Sequence, residues 1–230
     1  MSRRPRIFLA NLPYHIIQRG NNKNPIFFAD YDYLFFLKVL QEAKAKHPCL
    51  IYSYCLMGNH FHLLAEPKEK QNISLLMKLL GAKYVHYVNR SHNRTGTLWE
   101  GRFKCSLIEK EQYFLTCLHY IEMNPLRAGI VGFPELYRWS SYRFRAFGEK
   151  SSILDLDPWY NGLGRNPQER QVRYQQFFRN AISSSDLKLV REMTNKGGFL
   201  GSSSFKEQIE MKIDKEIIIR PPGRPKKREK

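Results

Sequence analysis

Residues 48–67 read "PCLIYSYCLMGNHFHLLAEP". Two extended runs, about 50–57 and 59–66, meet at Gly58, and the sequence leaves two arrangements open: one bulged strand, or two strands separated by a tight corner. In the second run the strand period of two puts His60 and His62 side by side, roughly 6.5–7 Å apart at the backbone, with Phe61 and Leu63 on the opposite face. Imidazoles so placed can converge on one divalent cation, or they can be two histidines that simply find hydrogen bonds. Partners elsewhere in the chain decide between these readings.

Working outward, "YHIIQRGNNKNPIFF" (14–28) reads as a strand over Tyr14 to Ile17 followed by a turn rich in Gly and Asn. A helix is expected from about Asp30 to Lys46, with Asp30 or Asp32 as cap and Leu34, Leu37, Val39 and Leu40 along it. "NISLLMKLLGAKYVHYVNRSHNRTG" (72–96) has helical spacing after a capping Asn72 or Ser74. "TLWEGRFKCSLIE" (97–109) returns as a strand or hairpin. "KEQYFLTCLHYIEMNPLRAGIV" (110–131) is a helix that must stop near Asn124, because Pro125 restricts the residue before it and has no N–H to donate. Strand, helix, strands, helix, strand, helix is the order of an α+β sandwich.

The 230 residues suffice for one domain with an appendage or two small domains, and 13 Tyr with 15 Phe argue against wholesale disorder. Lys and Arg number 38 against 21 Asp and Glu, a net charge of +17 that favours a polyanionic partner, nucleic acid before an anionic membrane. No apolar run approaches the ~18 residues of a spanning helix, and "MSRRPRIFLANLPYHI" lacks the apolar core and cleavage site of a signal peptide. The expected location is cytoplasmic, without a membrane partner. Cys49, Cys55, Cys105 and Cys117 form no Cys-x-x-Cys pair and read as reduced and packed.

After about residue 150 the texture changes. The expected organisation is a main α+β domain over 1–148, a helical extension over 149–195, with helices near 167–182 and in "SSSDLKLVREM", and a linker and basic, disordered tail over 196–230. Between Arg220 and Lys230 there are six basic residues and one acid.

On the helix "YFLTCLHYIEMNP" (113–125), Tyr120 and Asn124 are four apart and share a face, offering a phenol as nucleophile and an amide oxygen as a hard ligand. Packing and helix termination are the ordinary alternatives for these two. The combination of "GNHFHLL" (58–64), "LWEGRFK" (98–104), "CLHYIEMNPLRAGIV" (117–131) and "YRWSSYRF" (137–144) resembles the single-tyrosine HUH transposases, above all the REP-associated tyrosine transposases, over residues 8–148. HUH denotes the histidine, bulky hydrophobic, histidine motif.

The resemblance implies a ferredoxin-like or RRM-like HUH sandwich, an antiparallel sheet with helices, followed here by a C-terminal extension. It implies His60 and His62 as metal ligands, Asn124 as the third where relatives often have Gln, and Tyr120 as the nucleophile. Gly58 stands where many relatives have Pro. The implied cofactor is a divalent metal, Mg²⁺ or Mn²⁺. The implied reaction is cleavage and rejoining of single-stranded or hairpin DNA through a 5′-phosphotyrosine, with hairpin-bearing repeats as the target. A homodimer that exchanges active-site helices stays open beside the monomer. Alternatives are a non-catalytic DNA-binding protein of the same fold and a replication initiator or relaxase.

Arg19, Lys23, Arg102, Lys104 and Arg127 lie in or beside these blocks and read equally as phosphate contacts or as solvated surface charges, and Trp99 equally as a stacking partner for an unpaired base or as a buried ring packing the helix. Glu122 and Glu100 read as exposed charges before they read as extra ligands. The tail "RPPGRPKKR" (220–228) partly resembles an AT-hook centred on Arg224, with a generic basic tail as the plainer reading.

Overall fold

The turn at Gly58 and Asn59 is a tight corner, and it closes a hairpin at one edge of a five-stranded sheet. A computed structural model describes residues 8–180 and 182–213. In chain order the elements are β1 (Tyr14–Arg19), α1 (Asp30–Lys46), β2 (Cys49–Met57), β3 (His60–Pro67), α2 (Asn72–Ser91), β4 (Lys104–Ile108), α3 (Lys110–Glu122) and α4 (Asn124–Arg127). These are followed by α5 (Tyr142–Ala146), α6 (Pro158–Gly162), α7 (Pro167–Arg179), α8 (Ser184–Lys196), β5 (Phe199–Leu200) and α9 (Ser203–Ile213).

The sheet order is β2-β3-β1-β4-β5, so β1 lies at the centre. β1 pairs antiparallel with β3 and β4, and β2 with β3, whereas β5 runs parallel to β4. The expected antiparallel sheet is therefore mixed, because a late strand reaches the free edge of β4. Register assigns the two faces: Ile17 lies opposite His62 and Arg19 opposite His60, while His15 lies opposite Ser106 of β4. His15, Ile17, Arg19, His60, His62 and Ser106 therefore share one face. The other face carries Phe61, which packs on Phe36 of α1 with ring centroids 4.8 Å apart. Helices α1 and α2 pack against each other over that second face, and α3 and α8 cover the histidine face.

Local chemistry accounts for the boundaries. Asp32 caps α1 from inside its first turn by accepting N–H bonds from Phe28 and Ala29, 2.7 and 2.9 Å long. Helix α3 ends at Glu122, and after a corner at Met123 the chain resumes one helical turn at Asn124, with Pro125 in its first turn where a missing N–H costs nothing. The "YRWSSYRF" block covers the outer edge of β2: Leu56 donates to the carbonyl of Trp139 and Ser141 to that of Tyr54.

The extension differs most from expectation. Tyr174 of α7 donates to Glu122 of α3 at 2.6 Å, so α7 shares a buried network with the first 148 residues. Residues 196–213, expected as linker, form the left-handed cap of α8 at Gly197 (φ 66°), then β5 and α9. Gly/Ser content there marks a helix stop and a short turn between packed elements. The basic tail with Arg224 lies outside the described residues.

Candidate active site

Helix α3 lays Tyr120 across the histidine face. Its ring centroid is 5.8 Å from His62 and 5.6 Å from His15, in edge-on geometry, and Tyr120 is 6% exposed. The three rings, His60 and Asn124 line one cavity of about 350 Å³, together with Arg19 and, from α8, Arg191 and Thr194. Within a single chain Tyr120 meets His62 and shares the cavity with His60.

The imidazoles are chained by hydrogen bonds. His15 Nε2 stands 2.8 Å from His62 Nδ1, and His15 Nδ1 stands 2.8 Å from Thr194 Oγ1. His60 Nδ1 is 2.6 Å from Asn59 Oδ1. In both motif histidines Nδ1 is engaged, and among the described residues no hydrogen bond is made by either Nε2. Burial, reinforced by Arg19, lowers His60 to about 4. Burial lowers His15 to about 3, with Arg127 adding to the effect. His62 is held well below the ordinary histidine range by burial, then by His15 and His60. All three are neutral at pH 7, the state in which an imidazole nitrogen ligates a metal.

Among the described residues two buried polar atoms on the cavity lining have no partner, Asn124 Nδ2 and Arg19 Nε, and Arg127 Nη1 beside Tyr120 is a third. Such orphans call for a ligand. Arg127 lies over the Tyr120 ring at 4.4 Å and donates to the Tyr120 carbonyl at 2.6 Å. Burial lowers its guanidinium below the ordinary arginine value, and neighbouring Tyr120 opposes that. Among the described residues no three His, Cys, Asp or Glu are grouped to hold a metal ion. A third protein ligand to a cation held here would be a side chain of another type. The Asn124 carboxamide, turned to offer its oxygen, fits two neutral imidazoles and a hard divalent cation.

The remaining candidates divide. Lys104 is exposed, bonds Asn195 at 3.1 Å, and lines a second cleft with Arg19, Arg102 and Glu100. Arg19 and Asn195 belong to both cavities, so basic side chains run continuously from the tyrosine outward. Lys23 is exposed on the turn after β1, where its carbonyl accepts from Asn59. Trp99 takes the packed alternative: its ring packs on Phe61 and Tyr84, half-buried under α2. Glu122 is fully buried, accepts from Ser141 and Tyr174, and faces Arg145, so it is neither a ligand nor a surface charge. His119 stacks on Phe178 and bonds the Asn180 carbonyl, pointing away from the tyrosine.

Sequence reasoning missed His15, Thr194 and Arg191. His15 carried a signal, since "YHIIQR" alternates as the motif strand does and puts His15 and Arg19 on one face. Thr194 and Arg191 sit on an ordinary polar helix and carried none.

Comparison with known proteins bears on the family and the fold. The profile of the family described as "Transposase IS200 like" matches residues 8–124, a segment that contains all four proposed site residues and ends on Asn124. Among solved structures, the chain resembles a REP-associated tyrosine transposase bound to a REP hairpin at 17% identity, covering 68% of this chain and 93% of that one, with a TM-score of 0.56. A transposase-like protein from Deinococcus radiodurans R1 is 16% identical, over 53% of this chain and 96% of that one, at a TM-score of 0.37. No curated protein matches in sequence.

Proposed function

The chain belongs to the family of IS200-like transposases and is by that membership a DNA transposase, and from this premise we propose that Tyr120 cleaves and rejoins single-stranded DNA at hairpin-bearing sites. The observation that carries the reading is the position of the Tyr120 ring against His62 in the cavity shared with His60 and Asn124. The hairpin-bound relative supports a hairpin substrate.

In the proposed reaction the scissile phosphate enters from the basic cleft, held by Arg19 and Arg191, and Tyr120 Oη attacks phosphorus in line with the departing O3′. The Oη–P bond forms as the P–O3′ bond breaks. Tyr120 gives up its phenolic proton and O3′ takes one up, leaving a 5′-phosphotyrosine and a free 3′-hydroxyl. The reverse attack by another strand's 3′-hydroxyl rejoins DNA and restores the tyrosine. His60, His62 and Asn124 would hold Mg²⁺ or Mn²⁺, whose contribution when bound is Lewis-acid polarisation and orientation of the phosphate. Arg127, fixed over the tyrosine ring, keeps the nucleophile aimed and supplies positive charge where negative charge accumulates.

The test is incubation with hairpin-bearing single-stranded DNA, with and without Mn²⁺. A metal-dependent covalent adduct that disappears in Tyr120→Phe is the expected outcome. Tight binding without cleavage across a broad hairpin panel would instead establish a non-catalytic DNA-binding protein.

A further inference from the structure

We propose that two hydrogen-bond relays, each ending on a backbone carbonyl, lock His60 and His62 in the tautomer that keeps Nε2 free for a cation, with Asn59 and Thr194 as their positioning residues. The proposal rests on the metal-ligand reading of the two histidines.

The direction of each relay follows from its last acceptor. Thr194 Oγ1 is 2.8 Å from the Val190 carbonyl, which can only accept, so the hydroxyl proton must point there. Thr194 Oγ1 then accepts from His15 Nδ1–H at 2.8 Å. A neutral His15, as its complete burial requires, has a bare Nε2, which accepts from His62 Nδ1–H at 2.8 Å. His62 is left with a lone pair on Nε2.

The second relay is shorter. Asn59 Nδ2 donates to the Lys23 carbonyl at 3.0 Å; the flipped amide would set two oxygens against each other. Asn59 Oδ1 therefore faces His60 Nδ1 at 2.6 Å and accepts its proton, again freeing Nε2. Two ligands adjacent on one strand thus reach the same tautomer through unrelated parts of the chain, the turn after β1 and helix α8. Thr194 is 3% exposed and bonded besides to Ser106, so the α8 relay is built into the core. Its anchor Thr194 lies outside the segment 8–124 that the transposase family covers.

Loss of the Thr194 hydroxyl removes the anchor. His15 can then move its proton to Nε2 and donate to His62 Nδ1, which places a proton on His62 Nε2 and blocks it as a ligand. Asn59 is not exposed to this change.

Long-range ¹⁵N–¹H correlation spectra of the metal-free full chain read the tautomers directly. The expected result is protonated Nδ1 on His15, His60 and His62 in the wild type. Thr194→Val should shift His15 and His62 and leave His60 unchanged, while Thr194→Ser retains the wild-type pattern. Calorimetric titration with Mn²⁺ should show affinity about 10–100-fold weaker for Thr194→Val, and wild-type affinity for Thr194→Ser. A proton on His62 Nε2 in the wild type, or unchanged tautomers and Mn²⁺ affinity in Thr194→Val, overturns the relay. Mn²⁺ binding that survives His60→Ala and His62→Ala would overturn the ligand reading, and the spectra would still judge the relay by itself.

Discussion

His15 and His62, 47 positions apart in sequence, share a hydrogen bond of 2.8 Å between neighbouring strands at the centre of the sheet. The bond joins one imidazole of the family motif to a histidine outside it, and it exists because β1 and β3 pair in a register that puts both rings on one face. A metal ligand oriented by such a partner loses affinity when the partner is removed. His15→Ala should weaken Mn²⁺ binding about 10–100-fold while the fold, read by circular dichroism, stays intact. Unaltered affinity would separate His15 from the metal site.

Tyr120→Phe removes only an oxygen. Covalent attachment to DNA should fall below detection, whereas hairpin affinity and Mn²⁺ affinity should stay within a few-fold of wild type. An adduct that persists in this variant would move the nucleophile to another side chain.

Arg191 is exposed on α8 at the mouth of the cavity, where a phosphate contact would be electrostatic and independent of sequence. Arg191→Gln should lower affinity for hairpin DNA uniformly across sequences and reduce the slope of log K against log salt by about 1. Binding isotherms at a series of salt concentrations decide it; an unchanged slope places Arg191 off the DNA path.

Acid should destabilise the metal-free protein. Burial lowers His119 to about 4, against the ~6.5 of an unfolded histidine. The unfolded chain therefore takes up a proton that the folded chain refuses, and stability present above pH ~6.5 is lost as pH falls toward 4. His60 and His15 are lowered in the same direction. Urea denaturation midpoints measured across this window should drop with pH, and His119→Phe, which can keep the stack on Phe178, should flatten part of the drop. The same slope in the variant would assign the effect to other groups.

The extension is joined to the core by a buried ion pair. Arg145 is fully buried and bonds Asp157 at 2.9 Å, and Asp157 also caps α6 by accepting from Tyr160 N–H at 3.0 Å. Asp157→Ala removes the nearer of the two carboxylates around the buried guanidinium and leaves it with Glu122 at 3.9 Å, with an expected loss of about 3–5 kcal/mol in denaturant unfolding. A loss within ~0.5 kcal/mol, as for an exposed surface change, would show the pair to be dispensable.

The sequence by itself determined the elements and half of the chemistry. Alternation in "NHFH" fixed which way His60 and His62 point, the helical period carried Tyr120, though not Asn124 beyond the corner at Met123, and a helix from about Asp30 to Lys46 was readable. These are local properties, set by backbone period and capping within a few residues of each other. Glu122 was misread and Trp99 left open because their burial depends on what packs over them: Arg145, Tyr174 and Ser141 for the one, Tyr84 and Phe61 for the other. Tertiary structure alone decided that residues 196–213 continue the fold, that His15 stands behind His62, and that Thr194 of α8 reaches across to anchor it. Hydrogen bonds between residues 47 and 179 positions apart leave no periodic trace in the chain, because strand register and helix docking, which bring them together, are settled only when the whole core is packed.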